Sequence, residues 1–400
     1  MKENILVLTA IYPADDLPKE YTPVVHYFTR EWVKMGANVI VINYEVDFPW
    51  LMLKVADLFS DFIASHFGSV PRTKPIKERE YTLDGVVVKR IVPKKLIIHG
   101  PITKKEKIKA FEKTISFLEK QNFIPDIVIS HWCNPQLDIM SKIKKKYNIR
   151  SCYVAHLPGD DILSIKSKVE AQKIINEIDI IGFRSDYIKS EFLSRFIYSG
   201  KTFQCYSGVP DKYIPVNLTK RCFNKLNSFI YVGTLIKRKY PSKIIPAVKK
   251  ALGTEPCVIT YVGQGSEISS IKKEARINDV SVRLLGRIHR DSVVEELKNH
   301  DFFVMISRQE TFGLVYLEAM AVGCITIASR KEGFDGIIQH GVNGFLCEAG
   351  NENELANLIR KIRNMNREEL QQISINAMKT AKELTETKVA RQYLDNILSI

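Results

Sequence analysis

The residues best suited to chemistry lie in Ser307–Gly323, which reads SRQETFGLVYLEAMAVG. Seven residues, Gly313 among them, separate the carboxylates of Glu310 and Glu318, and a helical pattern opens at about Leu314. The first N–H groups of a helix have no intrahelical partner and its dipole favours an anion there, so this junction predicts a diphosphate site. Gly313 would let the backbone approach such a ligand because glycine has no Cβ.

The positions of the two glutamates predict different tasks. Glu318 lies one turn into the helix and can reach the vicinal hydroxyls of a ribose. Glu310 precedes the loop and would project into a cleft near a sugar, so the two carboxylates bracket the phosphates. Their offset is divided between a loop and a helix, which fits a shared metal site poorly, and the sequence has no Asp-x-Asp triplet. We therefore expect neither a metal nor a cofactor at this site.

The elements that must position these residues form two successive series. In each, short apolar runs typical of buried strands alternate with helical patterns, which predicts βαβ units and parallel sheets with helices on both faces. The first series has predicted strands at 4–9, 38–43, 127–130, 151–155 and 178–183. The second has predicted strands at 229–232, 258–262, 280–285, 302–306 and 324–328. The predicted fold class is α/β, with two tandem Rossmann-like, doubly wound domains and an interdomain cleft for ligands.

The domain boundaries are predicted from the places where periodicity stops. Gly, Pro and Asn cluster without clear periodicity at 208–224. The last helical pattern, from about 368 to 398, is interrupted near 384–387 and could cross back to the first domain. We predict an N-terminal domain, a C-terminal domain and a crossing helix at 1–210, 211–380 and 381–400.

Two local patterns in the first half predict further elements. The pair Asp84-Gly85 predicts the turn of a hairpin over residues 79–91. Residues 48–67 have an amphipathic helical pattern, whose apolar stripe is predicted to pack in the core in preference to facing a membrane surface or an acceptor. That stripe consists of Leu51, Val55, Leu58, Phe62 and Ile63.

The composition limits the classes of partner. The net charge of +14 is shared by both halves of the chain, so a basic tail is excluded. Lysines are concentrated at 94–113 and 142–146, which leaves open a solvated helix face or contact with an anionic membrane surface. None of the seven cysteines lies in a CxxC pair, which argues against disulfides and zinc and fits a reducing compartment. The apolar residues at the start of the sequence predict a first buried strand and not a signal peptide. No run reaches about 18 uncharged apolar residues, so no transmembrane helix is expected. No nucleic-acid partner is expected.

The motifs, in their order, resemble a known family. Glu310 and Glu318, with Phe312-Gly313-Leu314 between them, resemble the EX7E motif of the retaining GT-B glycosyltransferases of family GT4. Other stretches similar to that family occur in both halves of the chain. They are Pro125–Trp132, Val154–His156, Val232-Gly233, Val262–Gly265, Leu285–Arg287, Glu318–Gly323 and Gly341–Phe345.

The resemblance implies a GT-B fold, with an acceptor-binding N-terminal domain and a C-terminal domain that binds a nucleotide sugar. The implied activity is a retaining transfer of a hexose from a UDP- or GDP-sugar to a lipid-linked or other glycan acceptor, in cell-surface polysaccharide synthesis. Such an enzyme would be cytoplasmic and peripheral at the inner face of the plasma membrane. The alternative is a non-catalytic GT-B protein that binds a sugar nucleotide as partner of another transferase. A GT-B-shaped epimerase is disfavoured by the EX7E arrangement.

Residue by residue, the resemblance assigns Glu310 to the hydroxyls of the transferred sugar and Glu318 to the ribose. His156 would contact the donor sugar near the acceptor, and His131 would lie on the acceptor side. Glu310 and His156 are thus the expected catalytic residues. Further donor contacts are expected from the backbone amides of Phe312, Gly313, Leu314 and Val315, from Lys239 at the diphosphate, and from Arg287 and Ile288 beside the base.

Two positions depart from the family pattern. Thr234 stands where an arginine often follows the first glycine of the C-terminal domain, so Arg238 or Lys237 would have to supply that phosphate cation. Lys19-Glu20 stand where the family often has a Gly-Gly loop, which changes the acceptor and phosphate contacts expected on that side.

Overall fold

The computed structural model describes residues 3–17, 23–59, 74–95, 101–216, 221–223 and 225–399. These residues divide into two compact units. The first unit contains the described residues up to 206 and those from 386 onward, and the second contains those from 207 to 385. The boundaries between the units therefore fall at 206/207 and 385/386. The boundaries predicted from the sequence were 210/211 and 380/381.

Eight strands form the sheet of the first unit. They are β1 (Asn4–Thr9), β2 (Asn38–Tyr44), β3 (Arg79–Leu83), β4 (Val86–Ile91), β5 (Ile127–His131), β6 (Arg150–Ala155), β7 (Ile180–Phe183) and β8 (Lys201–Gln204). Their order is β3-β4-β2-β1-β5-β6-β7-β8, and every pair is parallel except the β3–β4 hairpin. Its turn residues, Asp84 and Gly85, have φ values of 48° and 80°, which confirms the predicted hairpin turn.

Helices of the first unit follow the strands in the predicted alternation. They are α1 (Val24–Lys34), α2 (Trp50–Leu58), α3 (Lys104–Lys120), α4 (Gln136–Tyr147), α5 (Asp160–Leu163), α6 (Lys168–Asn176) and α7 (Asp186–Arg195). The central strands are buried almost throughout, as expected of a parallel sheet covered on both faces.

The second unit repeats the architecture with six parallel strands. They are β9 (Ser228–Val232), β10 (Val258–Val262), β11 (Ser281–Gly286), β12 (Phe302–Val304), β13 (Ile325–Ser329) and β14 (Phe345–Cys347), in the order β11-β10-β9-β12-β13-β14. Its helices are α8 (Ile244–Leu252), α9 (Ile268–Asn278), α10 (Arg290–Lys298), α11 (Leu314–Ala321), α12 (Glu352–Arg363) and α13 (Arg367–Glu383). The predicted α/β class with two tandem Rossmann-like sheets is confirmed.

The end of the chain forms two helices, as the predicted interruption requires. Helix α13 ends at Glu383, and a last helix, α14 (Glu386–Leu398), belongs to the first unit. There the Trp32 indole N–H donates to the carbonyl of Ala390 at 2.8 Å. Arg30 pairs with Glu386 at 2.6 Å. A buried indole bond and a largely shielded ion pair thus attach α14 to α1.

Helix α2 contradicts one prediction. Leu51, Val55 and Leu58 are 61%, 51% and 79% exposed, so they do not pack in the core, and Leu53 is the buried apolar residue of this helix. The prediction was wrong because periodicity identifies residues that share a face but not what covers that face. Phe62 and Ile63 lie outside the described residues. Within the described part of the chain, no helix is long and apolar enough to cross a bilayer.

Candidate functional site

The junction between β12 and α11 has the predicted loop-to-helix form. Gly313 precedes the helix with φ 82° and ψ 67°, in the left-handed region. A Cβ at this position would lie 2.5 Å from the ring of Tyr316. That ring is held in place, because the Tyr316 hydroxyl donates to the carbonyl of Met305 at 2.6 Å. Both the backbone conformation and the close approach therefore require glycine.

Glu310 and Lys239 form an ion pair at this junction. Their Oε2 and Nζ atoms are 2.8 Å apart, and each side chain is only 13% exposed. Lys239 ends a short 3-10 helix, Lys237–Lys239, which follows β9, the strand beside β12. The family resemblance assigned Glu310 to the transferred sugar and Lys239 to the diphosphate. The structure brings them into direct contact.

Arg238 is used differently from its neighbour Lys239. Its Nη1 donates to the carbonyls of Arg308 and Gln309 at 3.1 and 3.0 Å, and the Arg308 N–H donates back to the Arg238 carbonyl at 2.8 Å. Arg238 thus connects the loop after β9 to the loop that carries Glu310. Lys237 is exposed, and the half-buried Thr234 accepts the hydroxyl of Tyr231 on its carbonyl at 3.0 Å.

Glu318 lies on α11 with its carboxylate buried. Oε1 contacts Nε of Arg290, the first residue of α10, at 2.5 Å. The Arg290 guanidinium lies 5.7 Å from the ring centroid of Tyr213, whose hydroxyl donates to Asp291 at 2.6 Å. Arg290 and Tyr213 were not among the residues predicted from the sequence. The only signal for Arg290 was its place, three residues after Arg287 and at the start of a helical pattern.

The remaining predicted donor residues lie in the first turn of α11, in the loop before it and after β11. Phe312 is buried with its ring edge-on to Phe334 at 5.4 Å, and Leu314 and Val315 are half-buried in the first turn of α11. Arg287 is exposed and Ile288 half-buried after β11. The first turn of α11 is thus partly accessible to solvent, and the Phe312 ring packs against the segment after β13.

The backbone segments at Gly233 after β9, Gly263 after β10 and Gly286 at the end of β11 are hydrogen-bonded to neighbouring strand ends. The Gly233 N–H donates to the Val262 carbonyl at 2.9 Å, and the Gly263 N–H donates to the Gly286 carbonyl at 2.8 Å. A Cβ on Gly263 would lie 1.9 Å from the Gly233 oxygen, so no other residue fits there. Close packing of the turns therefore explains the glycine at position 263.

In the first unit, His131 and His156 are in direct contact. Nδ1 of His131 lies 3.0 Å from Nε2 of His156, and the other ring nitrogen of His131 lies 3.3 Å from the Tyr393 hydroxyl on α14. Trp132 stacks on the His156 ring with centroids 4.1 Å apart. His131 has no exposed surface and both its nitrogens face protein groups, so it cannot itself touch an acceptor. Its contact with Nε2 of His156 suits His131 to hold the His156 ring in one orientation.

Burial keeps both imidazoles neutral. Desolvation, with a smaller contribution from the Arg184 guanidinium, lowers the pKa of His131 to about 3. Desolvation, followed by His131 and Arg184, also lowers the pKa of His156 well below its ordinary value. Neither ring therefore carries a charge near neutral pH.

In the part of the chain that the structure describes, no group of three or more His, Cys, Asp or Glu residues could hold a metal ion. Lys19-Glu20 lie outside the described residues.

Comparisons with known proteins find glycosyltransferases among the sequence relatives. Residues 220–380 match the family "Glycosyl transferases group 1". An uncharacterized glycosyltransferase of Methanocaldococcus jannaschii is 28% identical over 288 residues, which are 69% of this chain and 77% of that protein. A GDP-mannose-dependent monoacylated α-(1-6)-phosphatidylinositol monomannoside mannosyltransferase of Corynebacterium glutamicum is 24% identical over 48% of this chain and 55% of its own length.

The fold is shared with solved structures. HepE from Anabaena, solved in complex with UDP, superposes with a TM-score of 0.69 at 16% identity, and all of each chain is covered. Residues 220–380 are thus similar to the group 1 glycosyl transferases, the relative that covers 69% of the chain is named a glycosyltransferase, and the two units have the GT-B fold.

Proposed function

We propose that this protein is a retaining, metal-independent glycosyltransferase that moves a hexose from a UDP- or GDP-sugar to a glycan acceptor in cell-surface polysaccharide synthesis. The observation that carries the proposal is the Glu310–Lys239 pair, held at 2.8 Å where the loop meets the N-terminus of α11. A cation, a carboxylate and a helix N-terminus at one junction suit a phosphorylated sugar better than any ligand of a single charge.

The geometry suggests how the donor bond would break. A departing nucleoside diphosphate develops negative charge, which Lys239 and the helix N-terminus would stabilise without rearrangement. Glu310 would accept hydrogen bonds from hydroxyls of the transferred sugar while it keeps the lysine in place. The Arg290 pair orients Glu318, which would exchange part of that contact for the ribose hydroxyls. Retention of the anomeric configuration rests on the family resemblance.

The identity of the donor has support from two comparisons. A protein of the same fold was solved in complex with UDP, and a relative is named as GDP-mannose-dependent. Both bases are therefore kept in the proposal. His156, held neutral and stacked on Trp132, is proposed to contact the donor sugar, and His131 is proposed to orient it.

A thermal-shift panel of UDP, GDP and ADP and their sugars tests donor binding, followed by turnover with and without EDTA. One nucleoside diphosphate should stabilise the protein by about 2.7 kcal/mol at a hundredfold excess over Kd. Turnover of its sugar should be unchanged by EDTA, because fixed cations supply the charge. Stabilisation without turnover in any condition would favour the alternative, a non-catalytic sugar-nucleotide-binding partner of another transferase. Loss of turnover in EDTA would contradict metal independence.

The acceptor is proposed to be lipid-linked and the protein to be peripheral at the inner face of the plasma membrane. Helix α2 exposes Leu51, Val55 and Leu58, and the relative from Corynebacterium glutamicum is named for a phosphatidylinositol mannoside. The lysines of α3 and α4 add positive charge in the same unit, worth about 1 kcal/mol per cation near an anionic surface.

Vesicle flotation tests this location. The protein should bind phosphatidylglycerol vesicles, bind phosphatidylcholine vesicles weakly, and lose binding as salt rises. Leu51→Asp with Leu58→Asp should weaken binding at least tenfold, whereas Ile277→Asp, at an equally exposed apolar residue of the second unit, should not. Equal binding to neutral and anionic vesicles, or none to either, would contradict the proposal.

A further inference from the structure

Glu332 holds the backbone on which Glu310 is carried. It follows β13, and its Oε2 accepts the N–H of Glu310 at 2.9 Å. The nearby backbone N–H of Gln309 also favours the charged form of this carboxylate and so lowers the pKa of Glu332. The side chain is buried, so the bond to Glu310 has little competition from water. Nothing in the sequence pattern had marked this residue.

The next residue, Gly333, shows how tightly the two segments pack. A Cβ there would lie 2.4 Å from the Glu310 oxygen and 2.5 Å from the carbonyl carbon of Thr311. The backbone at Gly333 therefore packs directly against the backbone of residues 310–312, which limits the positions that Glu332 can take. Gln309 has a φ of 57°, a left-handed conformation that is unfavourable for a residue other than glycine and needs support from its surroundings.

Two independent contacts thus fix Glu310, since Lys239 holds its side chain and Glu332 holds its main chain. We propose that Glu332 is a positioning residue that sets the conformation of the loop at Gln309–Glu310 and thereby the place of the Glu310 carboxylate. The proposal rests on the function proposed above. A misplacement of about 1 Å at such a site can cost on the order of a hundredfold in rate.

The carboxylate form of Glu332 is the stronger acceptor for the Glu310 N–H. Burial raises the pKa of Glu332 and is the largest cause of the shift; the backbone N–H groups of Glu310 and Gln309 lower it, the charge of Glu310 raises it, and Arg308 lowers it. With the pKa raised, positioning should be complete above that pKa and should weaken as pH falls through it. Activity should therefore have an acid limb at a higher pH than an ordinary glutamate would give.

The test compares Glu332→Ala with Glu332→Gln. Alanine removes the acceptor and should lower kcat for turnover of the donor about a hundredfold. Glutamine keeps one acceptor oxygen, so it should lose only about tenfold and should no longer show the acid limb. Affinity for the nucleoside diphosphate that stabilises the wild type, UDP or GDP, should stay within about threefold in both. Glu354→Gln is a matched control, because Glu354 also accepts a loop N–H, that of Glu348, at 2.8 Å.

The outcomes separate this proposal from the proposed function. If the wild-type protein turns over no UDP- or GDP-sugar, the proposed function itself is contradicted. Active wild type with wild-type kcat in Glu332→Ala overturns the positioning role alone. An equal loss of nucleotide affinity and kcat, with no rescue by glutamine, would also overturn it, since that result indicates general damage to the fold.

Discussion

Glu310→Gln is expected to lower kcat for sugar transfer by about two to three orders of magnitude, as loss of one preorganised charged contact does in other active sites. The amide can still accept a bond from Lys239, at 2.8 Å in the wild type, so the loop should keep its conformation. Nucleoside diphosphate affinity should stay within a few-fold, because the carboxylate is assigned to the sugar. Turnover and calorimetric titration with UDP or GDP measure the two quantities.

Glu352→Gln provides the control for this prediction. Glu352 also pairs with lysines in the second unit, Lys243 at 3.1 Å and Lys250 at 2.8 Å, and no donor contact is assigned to it. Its substitution should leave turnover at the wild-type level. Unchanged turnover in Glu310→Gln, in protein with a wild-type unfolding temperature, would remove the assignment of Glu310.

Lys239→Met should weaken nucleotide binding as well as turnover. Methionine keeps much of the apolar stem but removes the ammonium, so a charged hydrogen bond to phosphate is lost. Such bonds contribute about 1.5–3 kcal/mol, which corresponds to roughly 10- to 150-fold weaker binding of the nucleoside diphosphate. Turnover should fall further, because Glu310 also loses the cation that positions it. Calorimetric titration and kcat/KM measure these effects.

The double variant Lys239→Met, Glu310→Gln sharpens the test. Residues in direct contact are coupled, so the double variant should lose less activity than the sum of the single losses. Lys250→Met is the matched control, since it removes a lysine from a glutamate pair elsewhere in the second unit. Additive losses would mean that Lys239 and Glu310 act independently, and wild-type nucleotide affinity in Lys239→Met would mean that Lys239 does not act at the phosphates.

The sequence by itself determined most of the elements. Strands β1 and β10 have the predicted bounds, because buried parallel strands leave short, continuous apolar runs in the sequence. Strands β8 and β14 were missed, since four and three residues at a sheet edge are too short for a pattern. The glycine at 313 and its helix start were also predictable, because turn chemistry is local.

Only the tertiary structure decided which distant residues meet. Lys239 and Glu310 are 71 positions apart, and His131 and Tyr393 are 262 apart, yet strand order and the return of α14 place each pair in contact. The contacts of Arg290 and Glu332 and the exposure of α2 have the same origin. Periodicity records which way a side chain points from its own element, whereas contact depends on which elements the fold makes neighbours.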